Sequence, residues 1–205
     1  MDVKELENYI FDQLFKQLKN DLNKKNNTKK LIKEETDISV CNYNPLVHSV
    51  SYGDYKRVKY LVEQGANIHI NNDELLIIAV RNGYFEIVKY FVEQGSDISV
   101  DNYEPLRYAC LRGHFEIVKY LVEQGSDISV NNYESLRNAS DNNNFEIVKY
   151  LVEQGSDISV DDYRPLRNAI YYNNYEMILY FRNVLGDKIP CHDCLVRSTC
   201  MDLCF

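Results

Sequence analysis

The sequence lacks several features that would define a function on their own. It contains no tryptophan, only 4 prolines among 205 residues, and no apolar run near the ~20 residues of a membrane-spanning helix. Its first residues are acidic, unlike a secretory signal peptide. Basic residues are in deficit, with 23 Lys and Arg against 31 Asp and Glu and a net charge of −8. These deficits predict a soluble, intracellular protein that binds neither membranes nor nucleic acid.

The sequence also lacks the arrangements that catalysis requires. The four histidines occupy unrelated positions and none pairs with a plausible nucleophile: His48, His69, His114 and His192. Neither a glycine-rich phosphate loop nor a cofactor fingerprint occurs. Asp and Glu recur regularly, but at positions typical of solvated faces and helix caps. We therefore predict a protein that is not an enzyme.

What the sequence does contain is one segment that recurs along the chain. Residues 115–125, Phe-Glu-Ile-Val-Lys-Tyr-Leu-Val-Glu-Gln-Gly, have counterparts at residues 85–95 and 145–155 and looser ones at 55–65 and 175–186. Apolar residues spaced by three and four predict one buried helix face that includes Leu121, and Gly125 predicts the helix end. A helix this short needs a neighbour to be stable. The regular offset of 30 residues therefore predicts a repeat solenoid.

The repeats divide the chain into five units between two caps. Units one to five cover residues 37–66, 67–96, 97–126, 127–156 and 157–187. Residues 1–36 read as a helical N-terminal cap or degenerate repeat, and residues 188–205 as a cysteine-rich C-terminal cap. In unit three we expect a first helix over residues 104–112 and a second over 115–124. The predicted fold is all-α, a monomeric stack of helix–turn–helix units.

These residues resemble the ankyrin repeat. Unit three carries the matching segments: Pro105-Leu-Arg-Tyr-Ala109, Gly113-His114, Ile117-Val118, Leu121-Val122 and Gly125-Ser-Asp127. They are similar to the family's Thr-Pro-Leu-His-x-Ala-Ala, Gly-His, Val, Leu-Leu and Gly-Ala-Asp. The resemblance spans about residues 28–187, and the 30-residue period is similar to that of ankyrin repeats in giant viruses of amoebae. It implies an ankyrin-repeat solenoid that binds a host or viral protein, in the host cytoplasm if the protein is viral.

The chain departs from the family pattern in two ways. The family's unit has about 33 residues, and the shortfall lies between Asp97 and Pro105, where the family builds a projecting β-hairpin finger. A long finger is therefore not expected. Glu104 and Arg107 replace the Thr and His of the Thr-Pro-Leu-His signature, so the hydrogen bonds of that signature cannot form in the family's way.

The resemblance implies a concave binding face on the turns and the outer sides of the first helices. Side chains at these positions vary between units while the core positions barely change. Tyrosine and arginine contribute most to interface energies. We predict a partner-binding set consisting of Tyr108, Leu111, Arg112, Asp141, Tyr171 and Tyr172. The partner could be passively blocked or recruited to a second machine, and variation alone would also fit a plain surface.

Four cysteines near the C-terminus form the one chemical cluster in the sequence: Cys191, Cys194, Cys200 and Cys204. Four thiolates suit tetrahedral zinc, and the first pair has the usual two-residue spacing. A disulfide pair or free, packed thiols would fit the same spacing. The alternative function is therefore a scaffold with a zinc-binding or redox-active tail. Cys41 and Cys110 are expected to be ordinary apolar residues of the core.

Overall fold

The structure, a computed structural model, describes residues 44–186, which form ten α-helices and no strand over that range. The helices run in pairs along the chain: α1 (Pro45–Ser51) and α2 (Tyr55–Glu63), α3 (Glu74–Arg81) and α4 (Phe85–Glu93), α5 (Val100–Arg112) and α6 (Phe115–Glu123), α7 (Val130–Asp141) and α8 (Phe145–Glu153), α9 (Val160–Tyr171) and α10 (Tyr175–Leu185). Each pair falls within one predicted unit, and the all-helical repeat architecture is confirmed. The predicted N-terminal cap and residues 188–205 lie outside the described residues.

The units stack side by side in two layers, one of first helices (α1, α3, α5, α7, α9) and one of second helices. The extensive contacts of the described range join the two helices of one unit or like helices of adjacent units. First helices pack more extensively on one another than second helices do. Such neighbour-only contacts define a solenoid, whose stability is a sum of units and interfaces.

The core lies between the two layers. In α6, Ile117, Val118 and Leu121 are at most 1% exposed, whereas Lys119 on the same helix is exposed. This is the face that the apolar spacing predicts. Fully burying a side chain of this size contributes about 1.5–3 kcal/mol. A nine-residue helix is marginal alone, so packing rather than intrinsic propensity holds it.

Aromatic pairs join the second helices of adjacent units, a contact that the repeat pattern does not predict. The ring at the start of each second helix packs edge-on against the sixth residue of the next one: Tyr55–Tyr90, Phe85–Tyr120, Phe115–Tyr150 and Phe145–Tyr180. The ring centroids are 5.9 Å apart in the first pair and 5.8 Å apart in the other three. Pairs with this geometry contribute about 0.5–1.5 kcal/mol beyond their buried area.

A three-residue left-handed turn stands where the family's finger would be. Asp101, Asn102 and Tyr103 have φ angles of 46°, 57° and 56°, and residues 71–73, 131–133 and 161–163 also have positive φ. Asn and Asp enter this region more readily than other residues with a side chain. Their presence at the first two positions of every such turn accounts for the conformation. The predicted first helix, residues 104–112, is the regular part of α5 after this turn.

Candidate functional site

The candidate site is the outer side of the first helices. In unit three it consists of Glu104, Arg107, Tyr108, Leu111 and Arg112, and we call these positions and their equivalents in the other units the first-helix face. The opposite side of the same helix is buried in the core, whereas none of these five side chains is buried. Because the helices stack at a fixed period, equivalent side chains form rows that cross the units.

The predicted binding residues occupy this face at different depths. Tyr108 and Leu111 are partly buried, and Arg112 is exposed. Tyr171 is 78% exposed and Tyr172 45%, and their rings lie 5.1 Å apart in an edge-on arrangement. Two adjacent exposed tyrosines offer a large, stiff contact area to a partner. The role of these residues in binding stays a prediction.

Asp141 lies on the same face but is engaged within the protein. Its Oδ1 accepts hydrogen bonds from Arg164 Nε at 2.9 Å and Asn168 Nδ2 at 2.6 Å, and its Oδ2 accepts from Arg164 Nη2 at 2.5 Å. Its backbone carbonyl accepts a bond from the Tyr172 hydroxyl at 2.6 Å. These contacts join units four and five. Asp141 therefore helps to position Tyr172. A direct contact between Asp141 and a partner stays a prediction.

Three arginines on this face, one per unit, each donate to a carbonyl of the left-handed turn before their own helix. The bonds run from Arg107 Nη2 to Asp101 at 2.8 Å, from Arg137 Nη2 to Asn131 at 2.8 Å, and from Arg167 Nη1 to Asp162. The acceptor carbonyls belong to exposed left-handed residues, and each bond joins a first helix to the turn before it. Arginine thus supplies hydrogen bonds at the position where the family's signature has histidine. The residue types alone indicate the loss of the signature's bonds but not these replacements.

Two of these arginines also bind a carboxylate of the next unit. Arg107 Nη1 lies 3.0 Å from both carboxylate oxygens of Glu134, and Arg137 Nη1 lies 2.8 Å from Asp161 Oδ2. Burial alone would raise the pKa of Glu134, but hydrogen bonds and the two arginine charges outweigh it and lower that pKa. The hydrogen bond from Arg137 is the main cause of the lowered pKa of Asp161. Half-exposed pairs of this kind contribute about 0.2–1 kcal/mol each.

A depression of about 240 Å³ lies on the first-helix face between units two and three, lined by Ile78, Arg81, Asn82 and Arg112. The Arg81 guanidinium lies over the Tyr108 ring, 5.0 Å from its centroid. Within residues 44–186 neither Arg81 nor Arg112 takes part in an ion pair. Arg112 and Tyr108 belong to the predicted set but Arg81 does not, although it is the one basic residue in its row of the five units.

Metal and thiol chemistry has no site in the part of the chain that the structure describes. No group of three or more His, Cys, Asp or Glu side chains there could hold a metal ion. The predicted zinc ligands, Cys191, Cys194, Cys200 and Cys204, lie outside the described residues, and that site stays a prediction. Cys110 is fully buried, and burial raises the pKa of its thiol despite a bond to Ser135, so it is an unreactive core residue.

No helix among the described residues is both long and apolar enough to cross a membrane.

Comparison with known proteins agrees with the paired-helix architecture. The profile of the family described as ankyrin repeats (3 copies) matches residues 14–102, 46–132 and 76–162. These overlapping matches span residues 14–162, more than half of the chain, and begin inside the predicted N-terminal cap. No curated protein sequence matches the chain at a significant level. The chain belongs to the ankyrin repeat family.

Proposed function

We propose that the protein is a non-enzymatic adaptor that binds another protein through the first-helix face. Ankyrin repeats generally mediate protein–protein interaction, which gives the class of function. One observation supports the placement: the first helices form a continuous layer whose outward side chains change from unit to unit, while the inward ones barely do. A row of changing side chains on a constant scaffold can select one partner, since each unit contributes a different contact.

Within that face, four residues are the proposed anchors: Tyr108, Arg112, Tyr171 and Tyr172. Interfaces concentrate binding energy in a few tyrosine, tryptophan and arginine side chains. Leu111 adds apolar surface beside Arg112. Asp141 acts by holding Tyr172 and by fixing the joint between units four and five.

The class of partner follows from the resemblance that the sequence analysis describes. If the protein is viral, its partner is a host or viral protein and its compartment is the host cytoplasm. Each solenoid would act as a monomer, because one layer of first helices already presents the complete face. Passive blockade of the partner and its recruitment to a second machine both use the same face.

The test compares two triple variants in an affinity pull-down. The first replaces Arg112, Tyr171 and Tyr172 with alanine, and the second replaces Lys89, Lys119 and Lys149 of the second helices, which are exposed. Exposed substitutions usually change stability by about 0.5 kcal/mol or less, so both variants should melt within a few degrees of the wild type. The first variant should lose the proteins that the wild type captures specifically, and the second should keep them. Unchanged capture by the first variant, or loss by the second, would contradict the proposed face.

A further inference from the structure

We propose that the depression between Arg81 and Arg112 receives one carboxylate side chain of the partner protein. The partner's binding segment would therefore carry an Asp or Glu at the position that reaches this point of the first-helix face. This inference rests on the proposed function and specifies the chemistry of the partner.

Arg81 and Arg112 have no carboxylate partner among the described residues. Residues 44–186 contain 13 Lys and Arg and 20 Asp and Glu, a formal charge of 13 − 20 = −7. In so acidic a segment carboxylates are plentiful, and three of the four other arginines of this face pair with a carboxylate of an adjacent unit: Arg107, Arg137 and Arg164. Arg81 and Arg112 face one depression, and no acidic residue lines it.

The volume and the lining of the depression suit a single side chain. A volume of about 240 Å³ is below the roughly 300–1,000 Å³ of pockets that hold small-molecule ligands. It suits the end of one side chain. Ile78 supplies an apolar contact for the methylene groups of Asp or Glu, and the two guanidinium groups supply donors for the carboxylate.

Arg81 is held in place before any partner arrives. Its guanidinium lies over the Tyr108 ring, an arrangement that attracts the cation to the face of the ring. A guanidinium above a ring still has the N–H donors in its own plane available for a carboxylate. Because this side chain is already ordered, binding costs less side-chain entropy than it would with a free arginine.

The negative ends of the two helices do not cancel the charges of the two arginines. Both arginines lie in the last turn of their helices, α3 and α5. The dipole of each helix places about half a negative charge at that C-terminal end. A net positive charge remains. An extended polyanion such as a nucleic acid needs many phosphate contacts, and the acidic surface around this isolated pair would repel it. A partner that is otherwise neutral or basic and carries one carboxylate is compatible with both the acidic surface and the two arginines.

The experiment selects binders to the full chain from a random peptide library displayed on phage. The wild type should enrich peptides with Asp or Glu at one fixed position. The variant Arg81→Glu/Arg112→Glu should lose that preference and favour Lys or Arg at the same position. The matched control Lys89→Glu/Lys119→Glu makes the same change in charge on the second helices and should keep the wild-type preference.

A selected peptide then gives the affinity. Exchanging its acidic residue for Gln or Asn, or making Arg112→Met in the protein, should each weaken binding roughly 10–100-fold, as expected for loss of a hydrogen bond between charged groups. The two changes together should weaken binding by less than the sum of their separate free-energy losses, because the contact between the carboxylate and Arg112 is counted in both. If the two losses of binding free energy add fully, the inference is wrong. A peptide that binds only when the position carries phosphoserine would also overturn it.

The outcomes separate this inference from the proposed function. Peptides that depend on Tyr171 and Tyr172 but show no acidic preference would overturn the carboxylate site and leave the binding face intact. Peptides that bind equally well to both arginine variants and to a Tyr171→Ala/Tyr172→Ala variant would overturn both proposals. Failure to enrich any peptide would also count against both.

Discussion

Position 113 shows how one residue serves two units. Gly113 has a φ of 77°, and a Cβ added there would lie 2.9 Å from the Asn144 Oδ1 of the next unit. Unit four has Asn143 at this position, with a φ of 56°, and Asn174 Nδ2 donates to its side-chain oxygen at 2.9 Å. Gly and Asn adopt the left-handed conformation most readily, which accounts for both residues. The sequence does not predict the contact with the neighbouring unit, because that contact depends on how adjacent units are placed.

Buried serines give a prediction at the same scale. Ser96, Ser126 and Ser156 are 6–7% exposed, and their hydroxyl groups have no hydrogen-bond partner among the described residues. Unit one has Ala66 at this position. Because a buried hydroxyl without a partner costs free energy, Ser126→Ala should raise the free energy of unfolding by up to about 1 kcal/mol. Urea denaturation followed by circular dichroism measures the change.

Ser140 is the matched control for this prediction. It is fully buried, but its hydroxyl donates to the Arg137 carbonyl at 3.0 Å and lies 3.2 Å from Asn168 Nδ2, which can donate to it. Ser140→Ala should therefore lower the free energy of unfolding by about 1–2 kcal/mol. If both serine variants shift the urea midpoint in the same direction, the hydrogen bonds do not account for the difference.

At the scale of the helix, the spacing of apolar residues was sufficient to place the second helices and their buried face. Ile117, Val118 and Leu121 follow from one helix alone. The pair Phe115–Tyr150 does not, because its residues are 35 positions apart, one period plus five. The period shows that units stack, whereas the extra offset depends on the packing of the two helices. For the same reason the sequence indicates that Arg107 replaces a histidine but not which carbonyl the longer side chain reaches.

The ion pairs between first helices make part of the stability depend on pH. The pKa of Asp161 is lowered in the folded protein, mainly by its hydrogen bond from Arg137. A carboxylate whose pKa is lower when folded stabilises the protein fully above its unfolded pKa of about 4, and that contribution disappears as the pH falls through the folded value. Arg137→Met should therefore reduce stability near neutral pH and make it fall less steeply below about pH 4.

Urea midpoints measured from about pH 7 to about pH 3 would test this expectation. Lys149→Met is the control, since it removes the same charge from an exposed position on a second helix. Both variants keep Asp97 and Asp127, whose pKa values are lowered by hydrogen bonds from Ser99 and Ser129. A shared loss of stability in acid is therefore expected. Parallel curves for the wild type and Arg137→Met would mean that the Arg137 pair carries none of the pH dependence.

At the scale of the whole molecule, the repeat period predicted the architecture but not the binding residues. The period reports which contacts recur, and recurrence selects the core. The residues that we propose for binding are ones that do not recur, but pattern alone cannot separate Arg112, without an ion pair in the described structure, from Arg164, which does not recur either and pairs with Asp141 of unit four. The distinction depends on distances between units. The same reasoning explains why Arg81 was not in the predicted binding set.

Neighbour-only contacts lead to a prediction about the removal of an entire unit. Deleting residues 97–126 brings unit four against unit two. Phe85 would then meet Tyr150, and Asn144 would pack against Gly83, in place of the corresponding contacts with unit three. The shortened chain should therefore fold, with a lower free energy of unfolding because one unit and one interface are gone. The m-value, which is the slope of the unfolding free energy against denaturant concentration, should also fall, because the shorter chain exposes less surface on unfolding.

The control deletes residues 97–111, which is half a unit. That deletion removes most of α5 and brings two second helices into direct succession, so the buried face of α6 loses its first-helix partner. A helix of nine residues is not stable without that packing. Circular dichroism should show a single cooperative transition for the 30-residue deletion. For the half-unit deletion the helical signal should be smaller and the transition less cooperative, because the units on either side of the break keep their own packing but no longer stack on each other. If the full-unit deletion unfolds, contacts beyond adjacent units must hold the fold, and the additive solenoid description would be wrong.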